Sequence, residues 1–96
     1  MDSVTLDHIY SVHPRVSIRP EPFGALLYHF GTRQLSFLKD RLLLDAVRSC
    51  DGTLTLAQAF TVAGVPESQT ERYRRAMATL VRSTMLQRQP ANEVAA

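Results

Sequence analysis

Three histidines, a single cysteine and a group of arginines are the side chains in this sequence whose chemistry merits a test. His8, His13 and His29 are scattered over the first third of the chain. They lack the i,i+4 helical spacing that lets two imidazoles share a zinc ion, so no metal role is assigned to them. Cys50 sits on the apolar stripe of a helical segment, where a thiol packs as a small core residue rather than acting as a nucleophile. No Ser, His and Asp grouping can be argued from spacing, and Gly24 and Gly31 form no phosphate-binding fingerprint. The residues therefore point to no catalytic group, no metal and no cofactor. The arginines Arg72, Arg74, Arg75 and Arg82 suit a different chemistry, attraction of an acidic peptide or of phosphate. Helical geometry turns Arg72, Arg74 and Arg75 in at least two directions, so they cannot all serve one groove. Glu71, four residues before Arg75, gives an ordinary helix ion pair.

The elements that must position these groups follow from hydrophobic periodicity. Residues 1–12 lack sustained periodicity and read as a flexible lead-in. From Arg15 the alternation of polar residues with Val16 and Ile18 marks a half-buried strand, which Pro20 and Pro22 are expected to stop because proline has no amide proton for the ladder. Ala25–Phe30 is a second strand and Gln34–Leu38 a third. Gly31-Thr32-Arg33 joins them as a tight turn, the glycine being suited to positive φ. Leu35 and Phe37 share one face of the third strand, Gln34 and Ser36 the other. That strand carries no internal charge or proline, so at a sheet edge its free amides and carbonyls could accept an added strand from a peptide.

The period then becomes helical. Asp40 caps a helix whose apolar positions are Leu42, Leu43, Ala46, Val47 and Cys50, with Gly52 placed to end it. Thr55-Leu56-Ala57-Gln58 is a capping box opening a helix with Leu56, Ala59, Phe60 and Ala63 on its buried side; Gly64 and Pro66 end that helix. Ser68-Gln69-Thr70-Glu71 is a second such box, opening the longest helix over roughly 69–85, with Tyr73, Ala76, Met77, Leu80, Val81 and Thr84 on one side. Residues 87–96 read as a disordered tail. The order is three strands, then three helices: an α+β, winged-helix-like single domain over 13–86, since a three-stranded sheet needs helices over one face.

Size and composition agree. Ninety-six residues give one domain, and 45% apolar with 21% charged residues is ordinary globular composition. The net charge of +2 permits a nucleic-acid partner without arguing for one. One cysteine, no signal-like N-terminus and no apolar run long enough to span a bilayer suit a cytoplasmic protein.

The stretch His13-Pro14-Arg15-Val16-Ser17-Ile18-Arg19-Pro20-Glu21-Pro22-Phe23-Gly24-Ala25-Leu26-Leu27-Tyr28 resembles the mycofactocin precursor-peptide chaperones. So do Leu35-Ser36-Phe37-Leu38 and the Cys50-Asp51-Gly52 helix end, and the similarity runs from about His13 to Met85. That family is similar to the pyrroloquinoline quinone chaperone, within the class of recognition elements for ribosomally made precursor peptides. The resemblance implies a three-stranded sheet with three helices, and a leader peptide bound as an extra strand along the third strand, in a groove shared with the third helix. Its partner would be a radical S-adenosylmethionine maturase, to which the iron–sulfur chemistry would belong. Carried over, the peptide-binding residues are Arg33, Gln34, Leu35, Ser36, Phe37 and Leu38 on the strand. On the helix they are Arg72, Tyr73, Arg75, Ala76, Thr79 and Leu80. The helix flank of Arg72, Ala76, Thr79 and Ser83, with Tyr73 and Leu80 as floor, offers small residues that let a backbone approach. The flank of Arg74, Ala78, Val81 and Met85 is the alternative.

Two other readings compete with a non-catalytic peptide chaperone. Ser68–Met85 could be the recognition helix of a winged-helix nucleic-acid binder. Alternatively, the third strand could pair across a two-fold axis in a homodimer.

Overall fold

The computed structural model describes residues 4–89. Among the described residues six strands and three α-helices follow in the order β1 (Ile9–Val12), β2 (Val16–Glu21), β3 (Gly24–His29), β4 (Leu35–Leu38), α1 (Arg41–Ser49), β5 (Asp51–Thr55), α2 (Leu56–Ala63), α3 (Thr70–Arg82) and β6 (Leu86–Arg88). The class is α+β, with two antiparallel three-stranded sheets in the orders β5-β1-β6 and β2-β3-β4.

The expected order of strands first and helices after is therefore corrected. The sheet over 16–38 has the expected three strands, but a second sheet gathers segments from the start, middle and end of the chain. Ile9–Val12, read as part of the lead-in, is its central strand, and Gln87 and Arg88, read as tail, belong to β6. Each of these strands is only three to five residues long, too short for period two to register against its surroundings. Residues 1–3 of the lead-in and 90–96 of the tail lie outside the described residues.

Local expectations held where the physical cause was side-chain specific. Asp40 caps α1, its Oδ1 accepting the Leu42 N–H at 2.8 Å. The capping box at Thr55 is complete in both directions, and Gly64 ends α2 with φ 89°. Ser68 caps nothing. Glu67–Gln69 winds as a 3-10 turn after Pro66, and Gln69, without a side-chain bond, precedes α3.

Glycine and proline positions also moved. Gly52 has φ 88° but lies in β5, where the β1 register shifts, and Cys50 ends α1 instead. Pro20 sits inside β2 opposite Ala25, tolerated because β2 is the outer strand of its sheet. In the β3–β4 turn the left-handed residue is Arg33, at φ 64°, not Gly31. The turn is held by His29, whose buried Nδ1 accepts the Gly31 and Thr32 N–H groups at 2.9 and 3.1 Å.

One core joins the sheets and helices. Ala25, Leu27 and Leu38 from the β2-β3-β4 sheet meet Leu44, Ala46 and Val47 of α1, Leu56 and Phe60 of α2, and Tyr73, Met77 and Leu80 of α3. Burying each large aliphatic side chain contributes about 2 kcal/mol. Cys50 belongs to this core, its thiol donating to the Ala46 carbonyl, and burial pushes its pKa up to about 12. No described helix is long and apolar enough to cross a membrane.

Candidate functional site

β4 is the last strand of its sheet: β3 lies on one side, and no described strand lies on the other. Its pairing is Tyr28 with Leu35, Leu26 with Phe37, Leu27 with Ser36 and Ala25 with Leu38. The His29 N–H donates to the Gln34 carbonyl at 3.0 Å, which makes that pair a hydrogen-bonded one. Antiparallel pairs alternate, so Ser36 and Leu38 spend their backbone groups on β3 while Leu35 and Phe37 turn theirs to the open edge.

The side chains of β4 divide by the same period. Leu38 is buried and Ser36 half-buried on the inner face, whereas Leu35 and Phe37 are 54% and 60% exposed on the outer face. The outer face is apolar beyond β4. Phe23 lies 6.3 Å from Phe37 between ring centres, and Tyr28 and Phe30 pack edge to face at 4.9 Å. Burying apolar area is the ordinary outcome of folding, so exposed large side chains gathered on one face make this surface a candidate for binding.

Just past the Leu38 end of β4 a cleft of about 200 Å³ opens between the Lys39-Asp40 segment that leaves the strand, the start of α1 and the first half of α3. Lys39, Asp40, Leu43, Arg72, Tyr73 and Ala76 line it. Asp40 organises it. One carboxylate oxygen caps α1, and the other accepts a hydrogen bond from the buried Tyr73 hydroxyl, tying α3 to the end of β4. The Tyr73 bond, with help from the helix N–H groups and Arg72, holds the Asp40 carboxyl below the usual carboxylate range. Burial first, then the hydrogen bond to Asp40 and its charge, pushes the Tyr73 hydroxyl up to about 12. The proton therefore stays on tyrosine and the charge on aspartate across the physiological range.

The residues expected on α3 separate into three groups. Arg72, Tyr73 and Ala76 line the cleft. Leu80 is buried in the core. Arg75 and Thr79 are exposed and engaged along their own helix, Arg75 with Glu71 at 3.3 Å and the Thr79 hydroxyl with the Arg75 carbonyl. On the strand, Arg33 and Gln34 are exposed at the turn, and Leu35 to Leu38 form β4. Lys39, Asp40 and Leu43 were not expected in the cleft. Asp40 carried a signal, since a helix-capping carboxylate directly after an edge strand lies at the mouth of any groove beside that strand.

The arginines do not form one basic stripe. Arg74 grips Glu71 with two hydrogen bonds of 2.9 and 2.7 Å and donates to the Val4 carbonyl at 2.8 Å, a structural tie between α3 and the start of the chain. Those contacts, chiefly the Arg74 bond, pull the Glu71 carboxyl down to about 2. Arg72 leans toward Gln69 and Arg82 toward Thr79. A recognition helix for phosphate would present these cations together.

With this geometry in view, comparison with known proteins gives a consistent result. The family model described as "Peptide chaperone MftB family" matches residues 9–87. A "Peptide chaperone MftB" of Mycobacterium ulcerans (strain Agy99) is 47% identical over 87 residues, covering 91% of this chain and 80% of that protein. Proteins of the same description from Mycolicibacterium smegmatis (strain ATCC 700084 / mc(2)155) and Mycobacterium tuberculosis (strain ATCC 25618 / H37Rv) are 48% and 46% identical over 80 residues. Each match covers 83% of this chain, and 78% and 73% of those proteins. No solved structure matches.

Proposed function

Because this chain belongs to the peptide chaperone MftB family, we propose that it binds the leader of a ribosomally made precursor peptide of the mycofactocin type and presents it to a radical S-adenosylmethionine maturase. In this reading the leader adds as a strand along β4, and the chaperone itself does no chemistry, works in the cytoplasm and belongs to the winged-helix-like class of precursor-peptide recognition elements. The observation that carries it is the edge of β4, where among the described residues no strand pairs with the amides and carbonyls that Leu35 and Phe37 turn outward, with the cleft of Asp40, Arg72 and Tyr73 near its Leu38 end. Strand addition supplies backbone hydrogen bonds that tolerate many sequences, and neighbouring side chains then select among them. Arg33 at the β3–β4 turn, and Lys39 and Arg72 at the cleft, are exposed and favour an acidic leader.

Calorimetric titration with a synthetic leader tests the reading. One-to-one binding that weakens as salt rises from about 0.05 to 0.5 M is expected, since exposed charges are screened over that range. Absence of heat at low salt, with the fold verified by circular dichroism, refutes it.

A further inference from the structure

We infer that the outer face of the β2-β3-β4 sheet is a second reading surface, one that selects peptides with apolar side chains at alternate positions. This rests on the proposed addition of a peptide strand at β4. A residue placed directly opposite Leu35 or Phe37 sends its side chain to the same face of the sheet as theirs, whichever way the peptide runs. That face is the outer one, away from the α3 cleft. The peptide thus carries two interleaved sets of side chains: one set lies over the cleft, and the other lies beside Leu35 and Phe37.

The chemistry of the outer set follows from what it meets. Leu35 and Phe37 are more than half exposed, and Phe23, 47% exposed, extends Phe37 into a hollow rimmed by Lys39. An apolar side chain opposite Phe37 buries part of both rings, and one two residues along covers Leu35. A threonine or charged side chain there leaves the apolar surface wet or loses its own hydration. Charge fixes the rest of the occupant. Around this face stand Arg19, Arg33 and Lys39 against one carboxylate, Glu21, which already pairs with Arg19 at 2.8 Å. A second copy of the chain docked face to face would bring like charges together, whereas an alternating peptide brings no cation to this face and sends the acidic residues between its apolar ones over the cleft, toward Lys39 and Arg72.

The test uses the precursor leader and two capped decapeptides of one composition. In the first, leucines alternate with threonine and glutamate; in the second, the leucines are contiguous. The protein is titrated as wild type, as the double variant Leu35→Thr/Phe37→Thr, and as Val62→Thr, an exposed apolar position on α2 that serves as control. Threonine keeps the β-propensity of β4, and circular dichroism checks the fold. The alternating peptide is expected to bind at least tenfold tighter than the contiguous one. The double variant is expected to lose at least tenfold affinity for both the leader and the alternating peptide, and Val62→Thr to lose none. Equal binding of the two decapeptides, or leader affinity unchanged in the double variant, overturns the inference and leaves strand addition at β4 standing. A leader that gives no heat with the wild-type protein overturns both.

Discussion

Removing the Tyr73 hydroxyl isolates the bond that fastens α3 to the end of β4. In Tyr73→Phe the ring still fills its buried place beside Phe60, which it meets edge to face at 6.4 Å, so packing changes little. What is lost is a hydrogen bond to a carboxylate, ordinarily worth about 1.5–3 kcal/mol. Asp40 is only half-buried and keeps the Leu42 N–H, so water can replace the tyrosine on its other oxygen and the loss falls toward about 1–1.5 kcal/mol. For a domain of this size each kcal/mol lowers Tm by about 4–8 °C. The pH dependence separates this bond from general loosening. Because the folded carboxyl titrates below its unfolded value, its contribution is complete above about pH 4 and is lost as pH falls through the folded-state pKa. The variant should therefore lose part of that acid-limb slope. Urea unfolding of wild type, Tyr73→Phe, Asp40→Asn and the double variant is expected to give a coupling of about 1 kcal/mol at pH 7. A coupling within about 0.3 kcal/mol of zero, or an unchanged acid limb, refutes the reasoning.

Other consequences follow from single positions. A Cβ on Gly24 would stand 1.9 Å from the Leu38 carbonyl oxygen at φ 151°, so Gly24→Ala should cost about 3 kcal/mol or more in urea unfolding. Gly64→Ala, with open space around it at φ 89°, should cost only about 1–2 kcal/mol; equal losses at the two sites would contradict the steric argument. Burial and the neighbouring His13 and Arg15 charges lower the pKa of His29, whose Nδ1 must stay unprotonated to hold the β3–β4 turn. Stability from this group is complete above about pH 6.5 and falls as pH drops toward the folded-state value, so the urea midpoint should be lower at pH 5 than at pH 7.5. That difference should shrink in His29→Gln. Cys50, its pKa raised to about 12 by burial, should resist iodoacetamide at pH 8 in the native protein and react fully in urea; rapid native labelling would contradict its place in the core.

Much of the fold was legible because its signals are local. The Asp40 cap, the Thr55 box and the Gly64 terminus are each set by a side chain or a φ requirement within four residues, and all three stand in the structure. The β5-β1-β6 sheet was not legible, because its strands are short and its pairings join residues some 40 to 80 positions apart. Ile9 against Thr55 and Val12 against Leu86 are examples, and nothing near Ile9 or Val12 announces these partners. Ser68 failed as a cap because Pro66 starts a 3-10 turn that reaches α3 first. Alternation in β4 separated its two faces but not inside from outside. By hydrophobicity alone Leu35 and Phe37 belong in the core, yet they face out while Ser36 faces in. Such a violation of binary pattern is where function is expected to reside.

Strand addition at β4 is the centre of the account, and amide hydrogen exchange with and without leader measures it residue by residue. The Leu35 and Phe37 N–H groups point to the open edge and should exchange fast in the free protein; saturating leader should slow both at least tenfold. Ser36 and Leu38, already bonded to β3, should change far less. Leader that binds while Leu35 and Phe37 exchange as fast as before would contradict strand addition and place the peptide elsewhere on the molecule.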